Sequence, residues 1–222
     1  MSAMTNETQP YVPALRFRWL TSFYDSLLAA TLKKEKFKSL LVDQARIRSG
    51  HRVLDLGCGT ATLTILLKTR HPDAEVVGLD GDPDILAIAR RKVVQAGIEI
   101  DLRQGMAFDP PFEPASFDRI VSSLVFHHLS TEQKKATFEA LRMLLRPGGE
   151  LHVADWGKTR SLLTRAAFLS VQLLDGFATT NDNVQGRLIP MMKNVGFVSV
   201  VETHHEPTLF GTLSLYRAEA SR

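Results

Sequence analysis

The sequence has 222 residues and a formal net charge of +3, with 44% hydrophobic and 23% charged residues, proportions that are ordinary for a globular protein. The small net charge gives no argument for a nucleic-acid partner, and no apolar stretch approaches the roughly 20 residues of a membrane span. The single cysteine, Cys58, excludes an intramolecular disulfide and predicts a cytoplasmic protein, and we expect no metal site because no Cys/His cluster is present.

Residues 1–49 are predicted to form an N-terminal helical cap. The stretch "ALRFRWLTSFYDSLLAATL" carries an apolar stripe at helical spacing, and the more basic "KKEKFKSLLVDQARI" follows it. The lysines of this second stretch leave two interpretations open: weak association with an anionic membrane surface, or a solvated helical face, which we favour. These lysines are Lys33, Lys34, Lys36 and Lys38.

From Arg52 onward, short apolar runs alternate with helical ones, which predicts a parallel sheet with helices on both faces. One helix is predicted to open with Asp82 as its cap, and another with a capping box of Ser130 and Gln133. The stretch "NVQGRLIPMMKNVGF" predicts a helix that Pro190 bends or interrupts, and the last two strands should pair antiparallel at a sheet edge. The predicted strands are RVLDL, EVVGLD, IEIDLRQ, DRIVSSLV, GELHVADW, FVSVVETHH and LFGTLSLYRA.

A glycine pair, Gly57 and Gly59, follows the first predicted strand in "VLDLGCGTATL" and would let the backbone approach a ligand closely. The dinucleotide fingerprint needs a third glycine, but Thr62 stands in its place, and no phosphate-loop Gly-Lys-Ser/Thr follows. Asp55, two positions before the pair, would repel a pyrophosphate and attract an ammonium group, directly or through water. The pattern therefore favours a ligand with positive charge and without phosphate.

A second carboxylate, Asp80, ends the next predicted strand, close to the position where acidic residues meet ribose hydroxyls in nucleotide-binding folds. Asp55 could instead be a helix-cap or turn residue, and Asp80 a solvated strand end. The glycine turn and the spacing favour ligand contact for both. The predicted ligand is a nucleoside with a cationic tail.

Four segments, "VLDLGCGTATLT", "VVGLDGDPDIL", "FDRIVSSLVFHHL" and "LRPGGELHVADW", resemble in order and spacing the motifs of class I S-adenosylmethionine-dependent methyltransferases. The closest likeness is to the small-molecule branch that includes quinone-biosynthesis and phospholipid methyltransferases. The resemblance implies an α/β fold over residues 50–222: a Rossmann-like, doubly wound, seven-stranded, mostly parallel sheet with an antiparallel edge strand. It also implies a substrate-covering segment at 157–185 and S-adenosylmethionine as cofactor, with S-adenosylhomocysteine as product.

The resemblance assigns the cofactor-binding residues by position. Met106 stands where many members have an acidic residue that accepts a bond from the adenine amino group, so a backbone amide and the Met side chain would have to substitute. The implied contacts are Asp55, Gly57, Cys58 and Gly59 for the methionine end, Asp80, Gly81 and Asp82 for the ribose, Gly105, Met106 and Ala107 for the adenine, and Ser123 and Leu124 for the methyl end.

Methyl transfer requires a base only when the acceptor must lose a proton. His127 and His128 follow the fourth predicted strand, and phosphoethanolamine methyltransferases use a histidine in a similar "-HL" position together with a tyrosine near the N-terminus. The resemblance therefore implies His128 and Tyr24 as the catalytic pair. A histidine that only bonds a loop carbonyl is the alternative. Asp155 is another candidate, with capping of the following segment as its alternative role.

The predicted function is transfer of a methyl group to the oxygen, nitrogen or activated carbon of a small acceptor. The apolar stretch "SLLTRAAFLSVQLLDGF" favours an apolar or aromatic acceptor. The alternative is a non-catalytic S-adenosylmethionine-binding module or partner subunit, which Met106 motivates. An RNA methyltransferase is disfavoured because the chain has no basic stripe. The acceptor and the oligomeric state stay open.

Overall fold

The computed structural model describes residues 34–160 and 162–221, so the predicted first helix, with Tyr24, and Lys33 lie outside the described residues. One sheet contains seven strands in the order β3-β2-β1-β4-β5-β7-β6. Strands β1 to β5 pair parallel, and β7 pairs antiparallel with both β5 and β6. The predicted sheet with an antiparallel pair at its edge is confirmed. The strands are β1 Arg52–Leu56, β2 Glu75–Asp80, β3 Asp101–Gln104, β4 Phe117–Ser123, β5 Leu145–Trp156, β6 Phe197–Thr208 and β7 Gly211–Ala220.

Helices connect the strands, and two of them begin where their capping residues predict. The Asp82 side chain accepts hydrogen bonds from Asp84 N and Ile85 N, and Ser130 and Gln133 form the predicted capping box. The helices are α1 Lys34–Ala45, α2 Thr62–Arg70, α3 Pro83–Gln95, α4 Thr131–Leu144, α5 Leu162–Asp175, α6 Phe177–Val184 and α7 Leu188–Asn194, with a 3₁₀ turn at Phe126–His128.

Apolar side chains cover both faces of the sheet. On one face, Leu41 of α1 and Leu67 of α2 are buried in a cluster with residues of β1, β2, β4, β5 and β7. On the other face, Phe126 and Phe138 stack with ring centroids 4.5 Å apart in a cluster that also includes residues of α7. Each fully buried side chain of this size contributes about 1.5–3 kcal/mol, so both faces hold the strands in register. Because β1 to β5 run parallel, their carboxyl ends lie along the same edge of the sheet.

Helix α1 lies within the predicted N-terminal cap and packs on the sheet. Phe37 is buried in the same cluster as Leu41, and Gln44 donates to the carbonyl of Tyr216 on β7 at 3.0 Å. Lys36 forms an exposed ion pair with Glu206 on β6 at 3.4 Å. The domain boundary near residue 49 stays a prediction.

The predicted bend at Pro190 is wrong. The chain breaks instead between α6 and α7, where Gly186 has a φ of +72°. Pro190 lies in the first turn of α7, where a missing backbone N–H costs nothing because that N–H would have no partner inside the helix.

Strand β3 is also shorter than predicted, because Ile98 and Ile100 pack with Ala89 and Val93 of α3 before the strand begins. Within the described ranges, no helix is long and apolar enough to cross a membrane. In the same part of the chain, no three His, Cys, Asp or Glu side chains converge in a group that could hold a metal ion.

Candidate active site

The turn after β1 is the glycine loop, residues 57–59. Gly57 and Gly59 adopt left-handed conformations, with φ of +68° and +54°. The backbone N–H groups of Gly57 and Cys58 both donate to the carbonyl of Leu79 on β2, at 2.8 and 2.9 Å. A Cβ atom at Gly57 would lie 2.3 Å from Val125 Cγ2, so only glycine fits between the turn after β4 and the end of β2.

Asp80 joins the turns that follow three strands. Its Oδ2 accepts from Gly59 N at 2.8 Å and its Oδ1 from Asp82 N at 3.0 Å, while its backbone carbonyl accepts from Gly105 N at 3.0 Å. The side chain is only half-buried. The residues predicted to hold the methionine, ribose and adenine parts of the cofactor therefore lie together around one carboxylate.

Asp55 lies beneath the glycine loop. It is 1% exposed, and its Oδ2 accepts from Thr64 Oγ1 of α2 at 2.6 Å. Burial raises the pKa of this carboxyl to about 6. Its described hydrogen bond is made to α2, and its contact with a ligand ammonium, directly or through water, stays a prediction. Burial also raises the pKa of the Cys58 thiol, which fits a small filling residue rather than a nucleophile.

The adenine turn, residues 105–107, lies against the turn after β2. The Met106 sulfur is 2.9 Å from the position that a Cβ on Gly81 would occupy, and Ala107 packs on the core. The Met106 carbonyl accepts from Asp109 N at 3.1 Å, which closes a tight turn. A thioether and backbone groups therefore line this turn, and their contact with an adenine ring stays a prediction.

The chain leaves β4 in a strained turn. Leu124, which follows Ser123, has a φ of +59°, and its N–H donates to the Ala154 carbonyl at 2.8 Å. A left-handed conformation in a branched residue costs about 1–3 kcal/mol and is found where the surrounding structure enforces it. This turn places Val125 against Gly57, so the predicted methyl end lies beside the glycine loop.

Asp155, at the end of β5, organises that turn. It is fully buried, and its carboxylate accepts five hydrogen bonds from Val125 N, Phe126 N, Trp156 N, His127 Nδ1 and Asn183 Nδ2, at 3.1, 2.7, 2.7, 2.8 and 3.2 Å. Burial alone would raise the pKa of Asp155, but His127 and the hydrogen bonds outweigh it and hold the pKa below its usual range. Asp155 thus accepts hydrogen bonds from the turn at residues 125–127, which follows the neighbouring strand β4. It also accepts one from Trp156, the next residue along the chain.

The two adjacent histidines have different surroundings. His127 is 4% exposed, and its Nδ1 lies 2.8 Å from Oδ1 of the ionised Asp155, so Nδ1 is the ring nitrogen that donates to the carboxylate. The His128 ring centroid is 3.9 Å from that of His127. Burial, and then the charge of His127, lower the pKa of His128 to about 3. The structure joins His127, rather than His128, to a carboxylate, and Tyr24 lies outside the described residues.

Sequence reasoning missed Val125 and Asn183. Val125 fills the space above Gly57, and Asn183 donates to Asp155 from 28 positions along the chain. No local pattern marks either residue, because each acts through a partner that only the folded chain brings near.

Carboxylates outnumber cations at this edge of the sheet, where Lys92 of α3 donates to Thr60 and Thr62 just after the glycine loop. Asp55, Asp80, Asp82 and Asp84 all lie at the carboxyl ends of β1 and β2 or directly after them. Such a cluster attracts cations and repels phosphates. The residues present therefore fit the ammonium, sulfonium and ribose of S-adenosylmethionine.

Comparison with known proteins agrees with this geometry. A methyltransferase domain model matches residues 53–149. The demethylmenaquinone methyltransferase of Thermus thermophilus is 38% identical over 121 residues, which cover 54% of this chain and 54% of that protein. Residues 53–149 therefore carry a class I S-adenosylmethionine-dependent methyltransferase domain. S-adenosylmethionine is the cofactor of this family.

Other members of the methyltransferase family match more of the chain. The demethylmenaquinone methyltransferase of Symbiobacterium thermophilum is 25% identical over 238 residues, covering 95% of this chain and 92% of that protein. The solved structure of the S-adenosylmethionine-dependent methyltransferase SibL has a TM-score of 0.74 and 21% identity, covering 96% of this chain and 64% of that chain. The structural likeness confirms the Rossmann-like fold, whereas the match to the Thermus protein spans only about half of that relative's length.

Proposed function

We propose that this methyltransferase transfers the methyl group of S-adenosylmethionine to a small apolar or aromatic acceptor, and that His127 is the general base. The observation that carries the proposal is the buried pair of His127 and Asp155, 2.8 Å apart, in the turn that packs on the glycine loop. This pair takes the place of His128 and Tyr24 as the proposed catalytic machinery, because the pKa of His128 is too low for a base at neutral pH.

S-adenosylmethionine, when bound, supplies a methyl group activated by the sulfonium and leaves as S-adenosylhomocysteine. The protein holds the acceptor in line with the methyl carbon and excludes water. Nε2 of His127 would take the proton that the acceptor loses on methylation. Asp155 stabilises the resulting imidazolium through Nδ1–H and is not itself protonated.

Helix α5 supports an apolar or aromatic acceptor, because its Leu162, Leu169 and Leu173 are exposed. The same helix is held to the end of β5 by a buried cluster, in which Trp156 and Phe168 pack edge to face with ring centroids 5.5 Å apart, together with Val171, Val184 and Phe210. The relatives from Thermus and Symbiobacterium are named for demethylmenaquinone, a quinone. We therefore propose a quinone-type or phenolic acceptor for this chain.

The second candidate is a non-catalytic S-adenosylmethionine-binding module. Met106 favours it, because a thioether offers the adenine amino group a far weaker acceptor than a carboxylate. The pair of His127 and Asp155 favours the enzyme, because a binding module would need no general base.

Two measurements in sequence separate the candidates. Calorimetric titration with S-adenosylmethionine and S-adenosylhomocysteine, with NAD as control, is expected to give saturable binding of the first two only. Release of S-adenosylhomocysteine is then followed with reduced quinones, phenols and amines as acceptors. Turnover with a quinone-type or phenolic acceptor supports the enzyme. Binding with no turnover on any acceptor favours the binding module, and a folded protein that binds neither compound contradicts both.

A further inference from the structure

A buried polar cluster lies behind the proposed catalytic pair. Helix α6 contributes two consecutive residues to it, Asp182 and Asn183, which are 2% and 0% exposed. Asp182 faces α4, and Asn183 faces the end of β5. Residues 182–183 therefore connect α4, the helix after the 3₁₀ turn, with Asp155, the carboxylate that accepts from His127.

Asp182 fixes α6 to α4. Its carboxylate accepts from Thr131 Oγ1 at 2.7 Å, from Lys134 Nζ at 3.5 Å and from Arg187 Nη1 at 3.3 Å. Lys134 is fully buried and also donates to the carbonyl of Thr179. Burial lowers the pKa of Lys134, and the charge of Asp182 opposes that effect. Removal of Asp182 would leave the buried charge of Lys134 without this partner. The ion pair of Asp182 and Lys134 therefore resists movement of α6.

Asn183 makes its hydrogen bonds with the nitrogen end of its amide. Nδ2 donates to Asp155 Oδ1 at 3.2 Å and to the Trp156 carbonyl at 3.1 Å. Because both partners only accept, the orientation of the amide is fixed. Its Oδ1 is buried and has no hydrogen-bond donor among the described residues, an arrangement that costs stability. An apolar residue would pack here without that cost, so the hydrogen bond to Asp155 is the property that requires an amide.

We propose that Asn183 is a positioning residue that acts on His127 through Asp155. The inference rests on the proposed role of His127. Oδ1 of Asp155 accepts hydrogen bonds from both Asn183 Nδ2 and His127 Nδ1. The amide therefore competes with the imidazole for the negative charge of that oxygen. It also holds the carboxylate in the orientation in which it meets His127. Among the described residues, the titratable groups near His127 include Asp155 of β5 and His128 of the 3₁₀ turn, with Lys134 and Asp182 behind them.

The test is the pH titration of the His127 imidazole by NMR in the full chain, with the signal assigned by a His127→Asn variant. In Asn183→Ala, Asp155 loses one donor and binds the imidazolium more strongly. We expect the titration midpoint of His127 to rise by roughly half a pH unit or more. Asn181→Ala is the matched control on the same helix, because Asn181 bonds only outward, to Gln185 at 3.0 Å among its described side-chain contacts.

If Asn183→Ala does not fold, Asn183→Ser replaces it in the test, because serine keeps a hydroxyl donor. We then expect a smaller rise in the titration midpoint of His127. The proposal is overturned if His127 titrates in the folded Asn183 variants as it does in Asn181→Ala and the wild type. The proposed function fails on a different result, namely unchanged methyl transfer by His127→Asn, which leaves the NMR comparison intact.

Discussion

The backbone N–H of Gly59 donates to Oδ2 of Asp80 at 2.8 Å, and this bond joins the turn after β1 to the end of β2. Neither residue alone could form the proposed cofactor site at the carboxyl ends of β1 and β2. The left-handed glycine turns its N–H toward the carboxylate, and the bond holds that carboxylate beside the loop. Asp80 is therefore both a structural partner of the glycine loop and the proposed ribose ligand.

Replacing Asp80 with Ala removes a charged acceptor from the loop and from the ligand. We expect S-adenosylhomocysteine to bind about 10- to 100-fold more weakly, since hydrogen bonds to charged groups contribute roughly 1.5–3 kcal/mol. Asp84→Ala is the matched control, because Asp84 is exposed on the first turn of α3 and carries the same charge. Calorimetry compares the two variants, and equal losses of affinity would show that only the net charge of the crevice matters.

Gly57→Ala should destabilise the protein more than Gly97→Ala. Both glycines have nearly the same left-handed φ, +68° and +67°, so the strain of a Cβ is similar, about 1–2 kcal/mol. Only at Gly57 would the new Cβ meet a neighbour, Val125 Cγ2 at 2.3 Å, whereas Gly97 has open space. Denaturant unfolding is expected to show a further loss of about 1–3 kcal/mol for Gly57→Ala. Equal free energies of unfolding for the two variants would contradict the packing of Val125 on the loop.

His127 and His128 should differ in their effect on turnover. His127→Asn removes the proposed base and should lower kcat by roughly 10²- to 10⁴-fold with an acceptor that must lose a proton. His128→Asn should change kcat by no more than about threefold, because the low pKa of His128 makes it a weak base. Steady-state release of S-adenosylhomocysteine across pH measures both. A large loss only in His128→Asn would restore His128 as the base.

His128 should make the fold sensitive to acid. Its pKa is about 3 in the folded protein, against about 6.5 in an unfolded chain, so the unfolded state binds the proton first as pH falls below 6.5. Stability is then lost with falling pH, by up to about 1.4 kcal/mol per pH unit, until pH reaches the folded pKa.

The comparison that isolates this effect is the free energy of unfolding from pH 7 to 4.5 in the wild type and in His128→Asn. Asp55 acts in the opposite direction, because its pKa of about 6 lets the folded state bind a proton first, but it is present in both proteins. We expect a shallower loss of stability in His128→Asn, and the wild-type slope in His204→Asn, whose side chain is exposed. Parallel curves for all three proteins would exclude this role of His128.

Local chemistry determined much of the fold in advance. The caps at Asp82 and Ser130 and the glycine loop depend on residues a few positions apart, so their patterns could be read directly from the sequence. The prediction at Pro190 failed for a physical reason. Proline is an obstacle only inside a helix, and the break at Gly186 made it a first-turn residue.

Some residues of the candidate site could likewise be predicted from local sequence patterns, and others could not. The sequence by itself determined the strands, the glycine loop and the positions of Asp55 and Asp80, because strand periodicity and turn chemistry act over short distances, whereas the seven-stranded sheet was implied by the family resemblance. Only the tertiary structure decided which histidine meets a carboxylate and that Asn183 reaches the same oxygen. Those contacts join β4, β5 and α6, and their geometry exists only after packing has brought these elements together and excluded water from the charges.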